Sequence, residues 1–309
     1  MSGSQIGVGV DVGGTTVKGL VVTREGEVLR SIEGIDTPTS GSRDVAAVAA
    51  DTVRDLLTGL PADTPVGVCV PGIVDEAAGV GVFSANLGWR DAPLRDLVSE
   101  RLGRPVALGH DVRSGALGEA VWGLRIPDCL YVAIGTGIAS GLILGGRPAP
   151  AGPWSGEIGQ VPVNDPDRLG ERVALERIAS AAGICRRALG LGLIPEGGGA
   201  KALQDLAESA RPEDADDAAR ARAVYESSLG LLADVIAIVV HQVGTVPVVI
   251  GGGLSKGGDF ILDPIRERLV AGCAVVPAPP LLQARLGSAS QAMGAAALAF
   301  AEAGAPVLG

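Results

Sequence analysis

Aromatic side chains are scarce: tryptophan, tyrosine and phenylalanine together make 3% of the 309 residues. Hydrophobic residues nonetheless make 47%, so any core must be built from alanine, valine, leucine and isoleucine. Cysteine is rare too. Cys69, Cys129, Cys185 and Cys273 are scattered, which excludes a disulfide framework and a CxxC metal knuckle and leaves buried thiols in a reducing cytoplasm. Basic residues are outnumbered, giving a net charge of -10. Such a surface repels nucleic acid and anionic membranes, so neither is an expected partner. No long apolar run is unbroken. The most apolar stretch, 231–250, is interrupted by Asp234, His241, Gly244 and Pro247 and does not read as a membrane span. The opening "MSGSQ" lacks the basic-then-apolar pattern of a secretory leader. The expectation is a soluble cytoplasmic protein.

Glycine is abundant. The 47 glycines follow no fixed period, which argues for several tight loops rather than a fibrous or linker composition. The length favours two domains. "IGVGVDVGG" and "TTVKGLVVT" read as strands joined at glycines, with "VLRSIEGI" as a third strand. "SRDVAAVAADTVRDLLTGL" has helical spacing, with Ser42 as cap. "PVGVCVPGIV" reads as a buried strand, and "DAPLRDLVSERLG" as a helix capped by Asp91 and stopped by Gly103. "PVALGHDV" is a strand entering a loop, followed by a helix over "RSGALGEAVWG". The pattern then restarts: "DCLYVAIGTGIASGLILGG" is again strand, glycine loop, strand. Two such hairpins suggest a duplicated fold with a ligand cleft between the halves. The segments "LERIASAAGICRRAL" and "ARARAVYESSLGLLADVIAIVVHQV" read as helices. "VPVVIGGGLSKG" is a strand entering a third glycine loop, and "SASQAMGAAALAFAEAG" a terminal helix. The polar stretch "IPEGGGAKALQDLAESARPEDADD" reads as a surface excursion with one short helix.

The glycine loops exclude two nucleotide-binding classes. Gly7, Gly9 and Gly13 have the wrong spacing for a dinucleotide fingerprint, and a strand follows instead of a helix. No G-x-x-x-x-G-K-[ST] occurs, so there is no P-loop. What remains is hairpin tips of glycine and threonine, where phosphate oxygens can reach backbone N–H groups. Asp11 meets such a tip, and a carboxylate there repels phosphate unless a cation lies between. It therefore reads either as the residue ordering the water shell of a nucleotide-bound Mg²⁺ or as an aspartate closing a hairpin.

With these segments in order, the chain resembles the ROK family of sugar kinases, in the actin-like ATPase superfamily. "GVDVGGTTVKG" is similar to the first phosphate loop, "GVCVPGIVD" and "SANLGW" to the sugar-side segments, and "HDVRSGALGEA" to the catalytic segment. "AIGTGIASGLILGG" resembles the second phosphate loop and "VVIGGGLSKG" the adenosine loop. "SGEIGQ" with "LERIAS" resembles the segment that closes over the sugar. The resemblance implies an α/β fold of two actin-like (ribonuclease H-like) domains with a nucleotide/sugar cleft between them. The smaller domain would span 1–114, joined by a C-terminal helix at 288–309, and the larger 115–287. It also implies ATP, Mg²⁺, a sugar or sugar-like polyol as acceptor, commonly at the primary 6-hydroxyl, and a homodimer.

The resemblance places the catalytic base at Asp111. Phosphoryl transfer to an alcohol needs a carboxylate that orients the hydroxyl and takes its proton; an aspartate capping the following helix is the structural alternative. Gly72, Asn86, His110, Glu157, Gln160 and Glu176 fall at acceptor-side positions. Glu176 reads equally as a surface glutamate, and His110 as a packed core residue. Gly13, Gly14, Thr15, Thr16, Lys18, Gly135, Thr136 and Gly137 fall around the phosphates, Gly251, Gly252 and Gly253 under the adenosine, and Asp11 at the Mg²⁺.

The chain departs from the family in two places. The usual Asn-Asp-x-Asn is His110-Asp111-Val112-Arg113 here, and Arg113 would favour an ionised Asp111 if the two side chains meet; otherwise it faces solvent or phosphate. Many members also carry a histidine three residues after the position of Glu157 and a cysteine cluster beyond, which hold zinc. Here the histidine position is Gln160, and "VPVNDPDRLGERVALE" has neither cysteine nor histidine. Zinc needs about four such ligands, so none is expected and packing and hydrogen bonds must hold that loop. Gln160 also points to a shifted acceptor, such as an aminosugar or cyclitol, with plain glucose still open. Two other classes make different demands on the sequence. A DNA-binding regulator would carry a helix-turn-helix ahead of the first loop, and a non-catalytic sugar sensor would be expected to lose Asp111 or a phosphate loop.

Overall fold

The computed structural model describes residues 5–304. Residues 1–4 of the start read for a leader, and residues 305–309 at the chain's end, lie outside the described residues. Valine-rich alternation gives strands β1 (Ile6–Val12), β2 (Thr16–Thr23) and β3 (Val28–Asp36), followed by helix α1 (Ser42–Leu57). Next come β4 (Val66–Val70), β5 (Ile73–Asp75), β6 (Val80–Ser84), β7 (Trp89–Ala92), α2 (Leu94–Leu102) and β8 (Ala107–His110). Helix α3 (Asp111–Gly118) continues into a π-helical turn at Glu119–Gly123.

The restart expected at residue 128 follows. It comprises β9 (Cys129–Ile134), β10 (Ile138–Leu144), β11 (Arg147–Pro148), β12 (Pro162–Asn164) and β13 (Arg172–Ala174). Helices α4 (Glu176–Ala179), α5 (Ala181–Gly190), α6 (Ala200–Ala207) and α7 (Ala215–Val243) precede β14 (Val248–Gly251), α8 (Asp259–Gly272), β15 (Leu281–Gln283) and α9 (Ser290–Glu302).

Two five-stranded sheets repeat one plan. The first has the order β3-β2-β1-β4-β8 and the second β11-β10-β9-β14-β15. In each, an antiparallel meander leads to parallel strands: β1 pairs β4 and β4 pairs β8 in the first, and β9 pairs β14 and β14 pairs β15 in the second. The duplication read from the two glycine hairpins is thus a duplication of sheet order. The chain divides into two compact units. One takes in everything up to Cys129, Gly141–Gly156 and everything from Arg285; the other holds Leu130–Ser140 and Glu157–Ala284.

In the first unit the two faces of β1 have different partners. Val8, Val10 and Val12 pack with Val45, Ala49, Val53 and Leu56 of α1 in one cluster, each buried valine or leucine contributing about 2 kcal/mol. Residues two apart share a face, so Gly7, Gly9 and Asp11 line the other, which α9 covers. A Cβ at Gly9 would overlap the Ala292 carbonyl, and one on its register partner Gly67 the Ala295 carbonyl. At Gly294 a Cβ would overlap the Ser114 carbonyl of α3. These glycines let an alanine-rich helix lie backbone to backbone on the sheet. Glu119, fully buried, accepts the N–H groups of Arg285 and Leu286 (2.9 and 2.7 Å) just ahead of α9.

In the second unit α7 is, among the described residues, the helix long and apolar enough to cross a bilayer. Leu229, Leu232, Ile236 and Val240 nevertheless sit in the core with Ile250, Ile261 and Ile265. The excursion at 193–216 is more integrated than its polarity suggests: Leu203 is fully buried, and Tyr225 Oη donates to the Ala200 carbonyl at 2.6 Å.

Several caps differ from expectation. Gly41, with φ 119°, precedes α1, and Ser42 is its first residue. Helix α2 begins after Pro93, and Asp91 lies in β7 with φ 50°; proline's fixed φ sets that start. Gly103 ends α2 in the left-handed region, as expected.

Gly67→Ala is expected to destabilise the protein by about 3 kcal/mol through overpacking. Gly14→Ala, whose Cβ meets nothing within 4 Å, should stay within about 0.5 kcal/mol of the parent. Urea unfolding of the two variants checks this, and equal midpoints would contradict the close approach of α9.

Candidate functional site

The parallel strands of the first unit bring their carboxyl ends to one edge, where open α/β sheets bind ligands. Asp11 on β1 is in register with Cys69 on β4, and Cys69 with Gly109 on β8. Asp111 follows one residue beyond β8 as the first residue of α3. Asp11 is 6% exposed, and the Cys69 thiol donates to its Oδ1 at 3.6 Å. Burial, then the neighbouring Asp111 charge, push Asp11 up to about 7 against the pull of Lys18, its cross-strand partner. Burial raises Asp111 to about 6, although the Val112 N–H and the Arg113 charge oppose it. The charge on Asp111 is thus, after burial, the second cause that raises Asp11, and the two carboxyls titrate as a coupled pair.

The first glycine tip is held from outside. Thr37 Oγ1 donates to the Gly13 carbonyl at 2.8 Å, and the Thr37 N–H to the Thr15 carbonyl at 2.9 Å. Gly13 N–H closes the hairpin on the Thr16 carbonyl, while Gly14 and Thr15 are exposed. Thr37 was not picked out from the sequence, since an isolated threonine after a strand carries no pattern.

His110 caps α3. Its Nδ1 accepts the Arg113 N–H at 3.3 Å, so the proton sits on Nε2, which lies 3.4 Å from Asp111 Oδ1. Asp111 Oδ1 also accepts the Val112 N–H at 2.7 Å. Burial, then the Arg113 charge, lower His110 to about 3, so the ring is neutral. At 3% exposure, with a hydrogen bond to the Gly72 backbone as well, the imidazole faces Asp111 rather than the surface. The helix cap is therefore His110, not Asp111. Arg113 does not face solvent. It is 3% exposed, and its guanidinium donates to the carbonyls of Ser155 (3.0 Å) and Val74 (2.8 Å) and pairs with Glu76 at 3.2 Å. Gly72, with φ 96°, is pressed against the Phe83 carbonyl. Asn86 is exposed in the turn between β6 and β7.

In the second unit, Glu176 at the start of α4 accepts the Ile138 N–H at 3.3 Å through Oε2, and the Gln160 amide at 2.8 Å through Oε1. A Cβ at Gly137 would lie 2.7 Å from the same Oε2. Glu176 is thus no ordinary surface glutamate: it ties the second glycine loop to Gln160. Glu157 is half-buried at the cap of the short turn Ile158–Gln160. The Gly135 carbonyl accepts the Ala181 N–H opening α5, and Thr136 is exposed at the tip. Gly251 is buried against the Tyr131 hydroxyl, so packing explains that glycine, whereas Gly252 and Gly253 are exposed. A Cβ at Gly252 would lie 2.5 Å from the Ile134 carbonyl, so the third glycine loop abuts the residue just before Gly135.

The loop between β12 and β13 is tied down by Arg187 of α5, a residue sequence reading passed over. Its guanidinium, 8% exposed, holds Asp167 bidentately at 2.6 and 2.9 Å and donates to Ser227, Ser228 and the Val224 carbonyl. The Arg187 hydrogen bonds hold the Asp167 carboxyl below its usual range.

Asp11 titrates upward from 3.8 to about 7. The stability it contributes in protonated form is full below its unfolded pKa and is lost as pH rises through about 7. In magnesium-free buffer, Asp11→Asn is expected to unfold at higher urea than the parent at about pH 8, with the gap closing at about pH 4. A gap of the same size at both pH values would contradict the strained carboxylate.

Comparison with known proteins gives the same direction throughout. The ROK family profile matches residues 7–302. A glucokinase of Thermotoga maritima is 33% identical, covering 92% of this chain and 96% of its own. A ROK hexokinase structure from Thermus thermophilus superposes with a TM-score of 0.78 at 27% identity, covering 96% of this chain and 98% of that one. A ROK family glucokinase from Streptomyces griseus, solved with glucose and AMPPNP, superposes with a TM-score of 0.76 at 26% identity, covering 96% and 99%. With the doubled sheet order and glycine hairpins described above, these matches establish that the chain belongs to the ROK family.

Proposed function

We propose that the protein is an ATP-dependent sugar kinase, transferring the γ-phosphoryl group to a hydroxyl of a hexose or sugar-like polyol with Asp111 as base. One observation carries this reading. Asp111 Oδ1 accepts the Val112 N–H and is faced by the His110 ring, and we assign the acceptor hydroxyl to this carboxylate. A carboxylate raised to about 6 is still mostly ionised at neutral pH and holds a proton more tightly than an ordinary aspartate, as a general base needs. The glucokinase and hexokinase relatives support a hexose, with the primary 6-hydroxyl as the site.

Exposed backbone at Gly14 and Thr15, with Gly13 and Thr16 beside it, suits phosphate oxygens, as does the tip at 135–137. Gly252 and Gly253 suit the adenosine. Asp11 and Asp111 are two carboxylates in electrostatic reach of each other, a setting that fits a divalent cation. Mg²⁺ takes one or two carboxylates plus waters and phosphates, and we assign Asp11 to its water shell. When bound, the cation supplies charge neutralisation between carboxylates and phosphates. Lys18 balances Asp11.

On the acceptor side we assign Asn86, Glu157 and Glu176, whose oxygens and amides match sugar hydroxyls. Gln160 acts by holding Glu176. Because that amide ties up Oε1, an aminosugar or cyclitol stands as the second acceptor reading. The loop that Arg187 ties through Asp167 needs no zinc on this reading. A cytoplasmic homodimer built on domains at 1–114 with the C-terminal helix, and 115–287, completes the proposal.

ADP release from Mg·ATP, followed over glucose, mannose, N-acetylated hexosamines, free aminosugars and cyclitols, tests it. One preferred acceptor is expected, with turnover reduced at least about 100-fold in Asp111→Asn. Sugar binding without phosphorylation of any acceptor would make the protein a sensor and overturn the reading.

A further inference from the structure

Three groups adjoining Asp111 along the chain are fixed by one ion pair between a buried arginine and a half-buried glutamate. Strand β8 is an edge strand, and the N–H of its last residue, His110, donates to Glu76 Oε1 at 2.8 Å instead of to a neighbouring strand. The same Oε1 lies 3.2 Å from Arg113 Nε. The other guanidinium nitrogens hold the carbonyls of Val74 and Ser155, so the head of Arg113 is immobile. Its backbone N–H is spent on His110 Nδ1, which leaves the ring proton on Nε2, the atom that bonds the Gly72 backbone and lies 3.4 Å from Asp111 Oδ1. One carboxylate on one guanidinium therefore sets the peptide before the proposed base, the ring beside it and the first turn of the helix that carries it.

We propose that Glu76 and Arg113 are positioning residues that orient Asp111 through His110. This rests on the reading of Asp111 as base. Neither residue reaches the reacting atoms; both act on geometry. A pair this enclosed is a poor source of net stability, because desolvation offsets the attraction, but losing one partner strands the other's charge. A small tilt of a base costs much more in turnover than in binding, since misplacement of about 1 Å can lower a rate about 100-fold.

The test combines steady-state kinetics, unfolding midpoints and imidazole ¹⁵N spectra of Glu76→Gln, Glu76→Asp, Arg113→Lys and the double variant Glu76→Gln/Arg113→Lys, with Asp111→Asn alongside. Glu76→Gln is expected to lower kcat about tenfold or more while KM for ATP stays within about twofold. Arg113→Lys, which keeps the charge but loses the planar fork, should do the same. Glu76→Asp should recover only part of the loss, because its charge returns on a shorter arm. The double variant should fall little below the worse single variant, as groups acting as one unit do. Lower midpoints with kcat per folded site unchanged would make the pair merely structural and overturn the proposal.

The chain has two histidines, which keeps the ¹⁵N spectrum simple. The parent should show His110 neutral with Nε2 protonated, and Glu76→Gln should disturb that signal. A parent ring protonated on Nδ1 would overturn the proposal even if every variant failed to fold. Full turnover in Asp111→Asn would overturn the base reading instead, and the ¹⁵N result would still report on the network itself.

Discussion

Two like charges are held together where a sheet would rather have none. Asp11 and Asp111 stand at the carboxyl ends of strands tied in register through Cys69 and Gly109, and burial raises both, Asp11 to about 7 and Asp111 to about 6. Most of the first unit is arranged around that strain. Lys18 opposes it across the hairpin, the Val112 N–H takes one oxygen of Asp111, and a neutral His110 takes the flank where a cation would have collapsed onto the pair. Such strain persists only where the surroundings over-determine it.

The surroundings here are unusually rigid because they are made of backbone. Gly9, Gly67 and Gly294 let α9 touch the sheet and α3 without side chains between. The start of α9 is pinned by Glu119 through two N–H groups, and the Cys69 thiol lies 3.6 Å from the Gln291 carbonyl as well as from Asp11. Packing of this kind leaves few rotamers to relax, so the carboxylates cannot move apart cheaply. The second unit uses a different device for its own oxygen-rich cluster. Glu176 is tied to the loop backbone at Ile138 and to Gln160, and Arg187 clamps the adjoining hairpin loop through Asp167.

What the sequence made legible was whatever has local pattern. Alternating valines around Gly13-Gly14 announced a hairpin, and the restart near Cys129 announced its repeat; both became sheets of one order. Asp111 was legible because it follows a strand and opens a helix. Glu76, Thr37 and Arg187 were not, since each acts across 24 to 41 residues on groups that only the fold brings near: Glu76 on His110, Thr37 on Gly13, Arg187 on Ser228. Gly7 and Gly9 were read only for what they exclude, while their use lies in admitting α9. The caps expected at Ser42 and Asp91 failed for a local reason: glycine and proline set those helix starts by backbone geometry, which outweighs a side-chain cap.

Carboxyl ¹³C titration of the parent against Asp11→Asn and Asp111→Asn, without nucleotide or magnesium, addresses the strained pair most directly. The account predicts two carboxyl resonances titrating near neutrality, well above the 3.8 of an unperturbed aspartate. It also predicts that the Asp11 resonance moves to lower pH once Asp111 is neutral. Two resonances that titrate near 4 in the parent, and are indifferent to each other's substitution, would contradict it.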